Sequence, residues 1–141
     1  MTPEQIALVQ GSFAKVAPIS EQAAQTFYGR LFEIAPEVKP LFPGDMAEQR
    51  KKLMATLAVV VGGLSNLPTI LPAASMLAKK HVGYGVDAEH YASVGEALLW
   101  TLERGLGPAW TPATSAAWSD AYTTLSGFMI KEAYGPPQAA E

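Results

Sequence analysis

The chain has 141 residues, enough for one domain with a substantial core, and 49% of them are hydrophobic against 16% charged. A formal charge of −3 and a pI near 5.4 argue against a nucleic-acid-binding surface, and the absence of cysteine removes disulfides and thiolate metal sites. The opening MTPEQIALVQ lacks a basic region ahead of an apolar run, and the most apolar stretch, Leu53 to Leu64, is too short to span a bilayer, so a cytoplasmic protein without membrane insertion is expected.

Taken in order, the chain reads as helices. Thr2-Pro3-Glu4-Gln5 is a helix start, with a threonine cap, proline in the first turn and Gln5 placed to reach back. Ile6, Val9, Phe13 and Val16 mark its apolar stripe as far as Pro18. Ser20 is the expected cap of a second helix, in which Ala24, Phe27, Tyr28, Leu31 and Phe32 share a face, and which ends by Pro36. Between Pro36 and Pro40 there is room only for a tight turn leading to Leu41-Phe42, and Pro43-Gly44-Asp45 breaks the chain again.

A third helix is predicted from about Met46 to Leu64, with Gln49, Leu53, Leu57 and Val60 on one side. Asn66-Leu67-Pro68 reads as a loop, and Leu71-Pro72 as the start of the next helix, closed by Gly83 and Gly85. Asp87 is placed to cap a helix striped by Tyr91, Val94, Leu98 and Leu102. Thr111-Pro112 repeats the cap-plus-proline start, and Trp118, Tyr122, Leu125 and Met129 line the last helix until Gly135-Pro136-Pro137. No strand pattern competes, no repeat or interdomain linker is found, and residues 135–141 are expected to fray from a single domain spanning 1–141.

Only two histidines are present, His81 and His90. Ala74, Leu77, Ala78 and His81 recur at i, i+3, i+4 and i+7, so an apolar helical face carries an imidazole at its C-terminal end. Two readings are open: a core histidine whose nitrogens are satisfied by backbone or water, or an axial ligand presented to a flat cofactor. His90, in the first turn of its helix, reads as a surface residue.

The order of several fragments resembles a known family. They are FYGRLF with Tyr28, APEVKPLF ending in Phe42, EQRKKL with Gln49, NLPTILP, AKKH ending in His81, HYASVGEALL with Tyr91, and AWSDAY. Together they are similar to bacterial single-domain globins, close to the haem domain of flavohaemoglobins, over most of the chain from Phe27 to about Met129. The resemblance implies an all-α globin fold, with a short or absent helix between Phe42 and Gln49. It also implies a b-type haem (iron protoporphyrin IX) wedged between the Gln49 helix and the His81 helix, and neutral imidazole is a common proximal ligand for haem iron.

Within that resemblance, His81 corresponds to the proximal iron ligand and Phe42 to the phenylalanine that packs on the porphyrin plane. Leu53 is expected to close the distal side, Leu77, Val86, Tyr91 and Val94 to line the cofactor slot, and Lys52 to meet a propionate. Tyr28 and Gln49 correspond to distal donors. Bound O2 draws electron density from ferrous iron, so a phenol O–H and a carboxamide N–H aimed at it make charge-assisted bonds. One such bond is worth roughly 1.5–3 kcal/mol, or about 10- to 100-fold in O2 loss.

On the proximal side the flavohaemoglobin group links the imidazole to a tyrosine and a glutamate. Tyr91 matches the tyrosine, but the glutamate position matches Ala133, with Glu132 one residue earlier. At about 100° per residue, Ala133 lies about 20° from Tyr122 around the helix and Glu132 about 80° away on the other side.

The expected function is O2 binding for delivery or for nitric oxide detoxification by dioxygenation to nitrate, with O2, NO and CO as ligands. No flavin or nicotinamide domain is present, so a separate reductase is expected to supply electrons to a monomer or weak homodimer. The alternative is a haem-based gas or redox sensor, or an interaction module, on the same scaffold.

Overall fold

The first helix begins as its sequence dictates. Thr2 Oγ1 accepts from the Gln5 N–H at 3.1 Å while Gln5 Oε1 accepts from the Thr2 N–H at 3.0 Å, a complete capping box. In the computed structural model, residues 1–42, 44–83 and 88–134 are described. They form six α-helices: α1 (Pro3–Val16), α2 (Ser20–Ile34), α3 (Met46–Gly62), α4 (Leu67–Gly83), α5 (Ala88–Leu106) and α6 (Pro112–Tyr134). Short 3₁₀ turns fill Ala17–Ile19, Pro36–Leu41, Leu64–Asn66 and Gly107–Ala109, and no strand occurs among the described residues.

Two starts differ from expectation. Ser20 is the first residue of α2 rather than its cap: the chain passes into α2 straight from a 3₁₀ turn, and Ile19 precedes it with no side-chain cap. Helix α4 starts at Leu67, not at Leu71, so the expected loop at 66–68 is a 3₁₀ turn running into helix. Proline suits the first helical turn, which Pro68 occupies, and Pro72 deletes only one bond of the ladder. The Asp87 cap and the tail beyond 134 lie outside the described residues. By contrast, Thr111 Oγ1 accepts from the Thr114 N–H at 3.1 Å, and Asp45 Oδ1 from the Ala47 N–H at 2.9 Å, as N-terminal caps should.

Helix α2 packs on α5, α1 on α6, and α4 on α6, while α3 leans on α2 and more lightly on α1. The main core lies among α1, α2, α5 and α6, around Val9, Val16, Leu31, Ala97, Leu102 and Trp118. A buried polar link joins its first and last helices: the Trp118 Nε1–H donates to Ser12 Oγ at 2.8 Å, and Ser12 Oγ–H donates to the Leu8 carbonyl at 2.6 Å. Both polar groups are thus satisfied without water. A second cluster, Ala74, Ala78, Tyr91 and Met129, lies beneath α4. Because α3 and α4 rest on different partners, room is left between α2, α4, α5 and α6.

Gly95 on α5 sets how closely α6 approaches. A Cβ built there would stand 2.6 Å from Cε2 and 2.9 Å from Cδ2 of Tyr122. The ring cannot yield easily, because the Tyr122 hydroxyl donates to the Tyr91 carbonyl. Gly95→Ala is therefore expected to destabilise the fold by about 1–3 kcal/mol through overpacking. Thermal melting beside the wild type checks this, and an unchanged Tm would show that α5 and α6 can part at no cost.

No single described helix is long and apolar enough to cross a membrane. Helices α3 and α4 reach that threshold only as a pair bent by 48°.

Candidate functional site

His81 sits half-buried near the end of α4, and its Nδ1 lies 2.6 Å from the Leu77 carbonyl oxygen one turn earlier. A carbonyl can only accept, so Nδ1 carries the hydrogen, and a neutral ring then keeps its lone pair on Nε2. The local helix thus fixes both the tautomer and the ring direction. The ring borders a cavity of about 160 Å³ whose walls are almost entirely apolar, including Leu31, Phe42, Leu77, Val94, Leu125 and Met129. Tyr91 stands beside His81, ring centroids 6.2 Å apart, and lines the same cavity.

The structure brings Phe42, Leu77, His81, Tyr91 and Val94 to one cavity. Tyr28 and Gln49 form a second group: Gln49 Nε2–H donates to Tyr28 Oη at 3.2 Å. The two groups meet at Phe42, whose ring lies edge-on to Tyr28 at 5.4 Å and beside Phe32 at 5.8 Å. The Tyr28 hydroxyl, receiving from Gln49, keeps its own hydrogen to donate. Burial pushes its pKa up, only partly offset by the Gln49 bond, so it remains a neutral donor. Next to Gln49, Arg50 pairs with Glu21 on α2 at 2.9 Å.

Other expected residues fall elsewhere. Leu53 is half-buried and packs against the main core, and Lys52 is exposed; neither borders the cavity. Val86 lies outside the described residues. His90, read from sequence as a surface residue, is half-buried and borders the cavity with His81, because α5 turns its first-turn face inward. Residues not singled out for the site, Leu31, Val38, Leu41, Tyr122, Leu125, Ser126 and Met129, complete the wall. Several of them stood in the helical stripes, which mark burial but not the hollow being enclosed.

Behind His81, Glu132 is exposed and its Oε1 accepts from Ser75 Oγ at 2.7 Å, on α4 but nearly two turns before the histidine. Ala133 packs into the apolar cluster formed with Ala74, Ala78 and Tyr91. Tyr122, against Tyr91, has its pKa pushed well up, first by burial and then by the neighbouring Tyr91 phenol.

The residues present suit a flat iron-bearing cofactor by the chemistry of the donor set: one oriented imidazole on an apolar slot, with aromatic rings at its edge. At about 160 Å³ the hollow is smaller than the roughly 300–1,000 Å³ of typical ligand pockets. A porphyrin therefore has to displace part of the wall.

The family model named Globin matches residues 25–129. A flavohemoprotein of Bordetella parapertussis is 33% identical over 133 residues, covering 92% of this chain and 33% of that protein. One of Rhodopirellula baltica is 32% identical over 133 residues, with the same coverage. The chain spans about a third of the length of these curated relatives. Among solved structures, a bacterial globin from Campylobacter jejuni superposes with a TM-score of 0.81 at 28% identity, covering 99% of this chain and 100% of that one. A candidate nitric oxide dioxygenase from Rhodothermus marinus, engineered as a carbene transferase, gives 0.85 at 29% identity, covering 100% and 99%. The chain belongs to the globin family, and its six helices carry the globin fold.

Proposed function

We propose that the protein is a haem-binding globin that takes up O2, used either for O2 supply or to convert nitric oxide to nitrate with a separate reductase. The observation that carries this reading is the His81 ring, set by the Leu77 carbonyl with Nε2 as its basic nitrogen and seated on an apolar cavity. Haem held there would supply a ferrous iron able to take a diatomic gas. The chain's part is then to hold the iron through His81 and to keep water from the porphyrin with Phe42, Leu77 and Val94. With haem bound, Tyr28 and Gln49 would offer hydrogens to a polarised gas and much less to an unpolarised one. The relatives named flavohemoprotein, and the candidate dioxygenase, support haem and nitric oxide chemistry for this chain.

The test is a visible spectrum of the purified ferrous protein with and without O2. We expect a five-coordinate, high-spin ferrous haem whose bands move on O2 addition. Gln49 is a poor iron ligand and Tyr28 stays protonated. Sharp split bands before O2 is added would mean a second protein ligand, with His90 the first to substitute. Absence of any haem band after loading would overturn the reading.

A further inference from the structure

Away from the His81 cavity, α2 and α5 meet beside a half-buried indole, that of Trp100. Arg104, one turn further along α5, holds its guanidinium carbon 4.0 Å from the Trp100 ring centroid, and Arg30 of α2 lies over the same ring at 4.9 Å. The electron-rich ring attracts each cation, and so keeps together two like charges that would otherwise separate. Among the described residues no carboxylate stands within 4.0 Å of either guanidinium. Arg30 Nε is moreover buried, with no hydrogen-bond partner among the described residues. A buried N–H without an acceptor is uncommon and costs stability. Two neighbouring cations, both short of acceptors, call for an anion.

We propose that Arg30, Trp100 and Arg104 form a binding site for a small oxyanion of the phosphate type, free or at the end of a phosphate monoester. A guanidinium offers parallel N–H donors that match two oxygens of such a group, and both forks lean on one ring, within reach of a single tetrahedral oxyanion. The surroundings limit its size. Glu33 stands one turn beyond Arg30, and Glu96 and Glu103 stand one turn to either side of Trp100, all three exposed. An extended polyanion, such as a nucleic acid or an anionic bilayer, would meet those carboxylates, whereas a compact anion at the indole meets the arginines. Bound there, it ties α2 to α5. None of the three residues borders the His81 cavity, so the site holds with or without haem.

The experiment is proton–nitrogen NMR of the purified protein under carbon monoxide, which keeps any bound haem diamagnetic. The Arg30 Nε–H and Trp100 Nε1–H signals are followed as sodium phosphate is added, or glycerol phosphate in a second arm. Sodium chloride at equal ionic strength is the control. Both signals are expected to shift and saturate with phosphate and not with chloride. Saturation by glycerol phosphate as well extends the site to esters, and its absence confines the site to the free ion. Arg104→Met keeps an apolar stem on the ring but removes the donors, and is expected to weaken phosphate binding at least about tenfold, the loss of one charge-assisted contact. Lys131→Met removes an equal charge from the exposed face of α6 and is expected to bind as the wild type does. Shifts that never saturate, that chloride reproduces, or that Arg104→Met leaves unchanged would overturn the site. So would an equal loss in the two variants.

Discussion

Replacing His81 with alanine is expected to abolish axial ligation and most of the retained haem. The Leu77 carbonyl fixes the donor tautomer only at this position, so no neighbouring side chain inherits the geometry. The other histidine, His90, does border the same cavity, which makes it the one credible substitute. The comparison is therefore among His81→Ala, His90→Ala and the double variant, measured by ferrous Soret spectrum and haem stoichiometry after identical loading. Loss in the first and third with retention in the second is the expected pattern. An unchanged spectrum in His81→Ala, or loss only in His90→Ala, would move the ligand to α5.

The second large effect concerns Tyr28 and Gln49. Because Gln49 donates to Tyr28, removing either alone leaves a donor able to reorient, and a water can fill the gap. Tyr28→Phe combined with Gln49→Leu deletes both. O2 dissociation is expected to quicken by at least about tenfold in the double variant, since one charge-assisted bond alone is worth about 10- to 100-fold. Carbon monoxide dissociation should change far less, since that ligand is less polarised. Stopped-flow displacement of O2 by carbon monoxide in wild type, both single variants and the double variant reads the effect. Equal rates in all four proteins would remove these residues from gas binding.

How far the sequence was legible depends on the range of the forces involved. Local rules located the capping box at Thr2 and Gln5 and the proline-marked start at Thr111, because those bonds close within one turn. The start of α4 was misplaced because a proline in a first turn and a proline breaking a helix look alike in one dimension. His81 announced itself by its apolar helical face. Gln49, set between Glu48 and Arg50, could be picked out only by resemblance; it is partly buried and bonds to Tyr28 on another helix, a contact no local rule reveals. His90 and the Gly95–Tyr122 contact were illegible for a related reason. Which face of α5 turns inward, and how closely α6 may lie on it, are properties of helix pairs rather than of either helix.

Helix α6 walls the His81 cavity with Tyr122, Leu125, Ser126 and Met129 and carries the Trp118 bond to Ser12, on the first helix of the chain. On a ribosome, residues 112–134 are the last of these walls to be made. Until they are free to dock, Leu31, Phe42 and Val94 face an open trough, and His81 has a helix but no chamber. Cofactor capture thus belongs after synthesis of α6, not during it. A nascent chain stalled before Pro112 should retain no haem, however complete its helices.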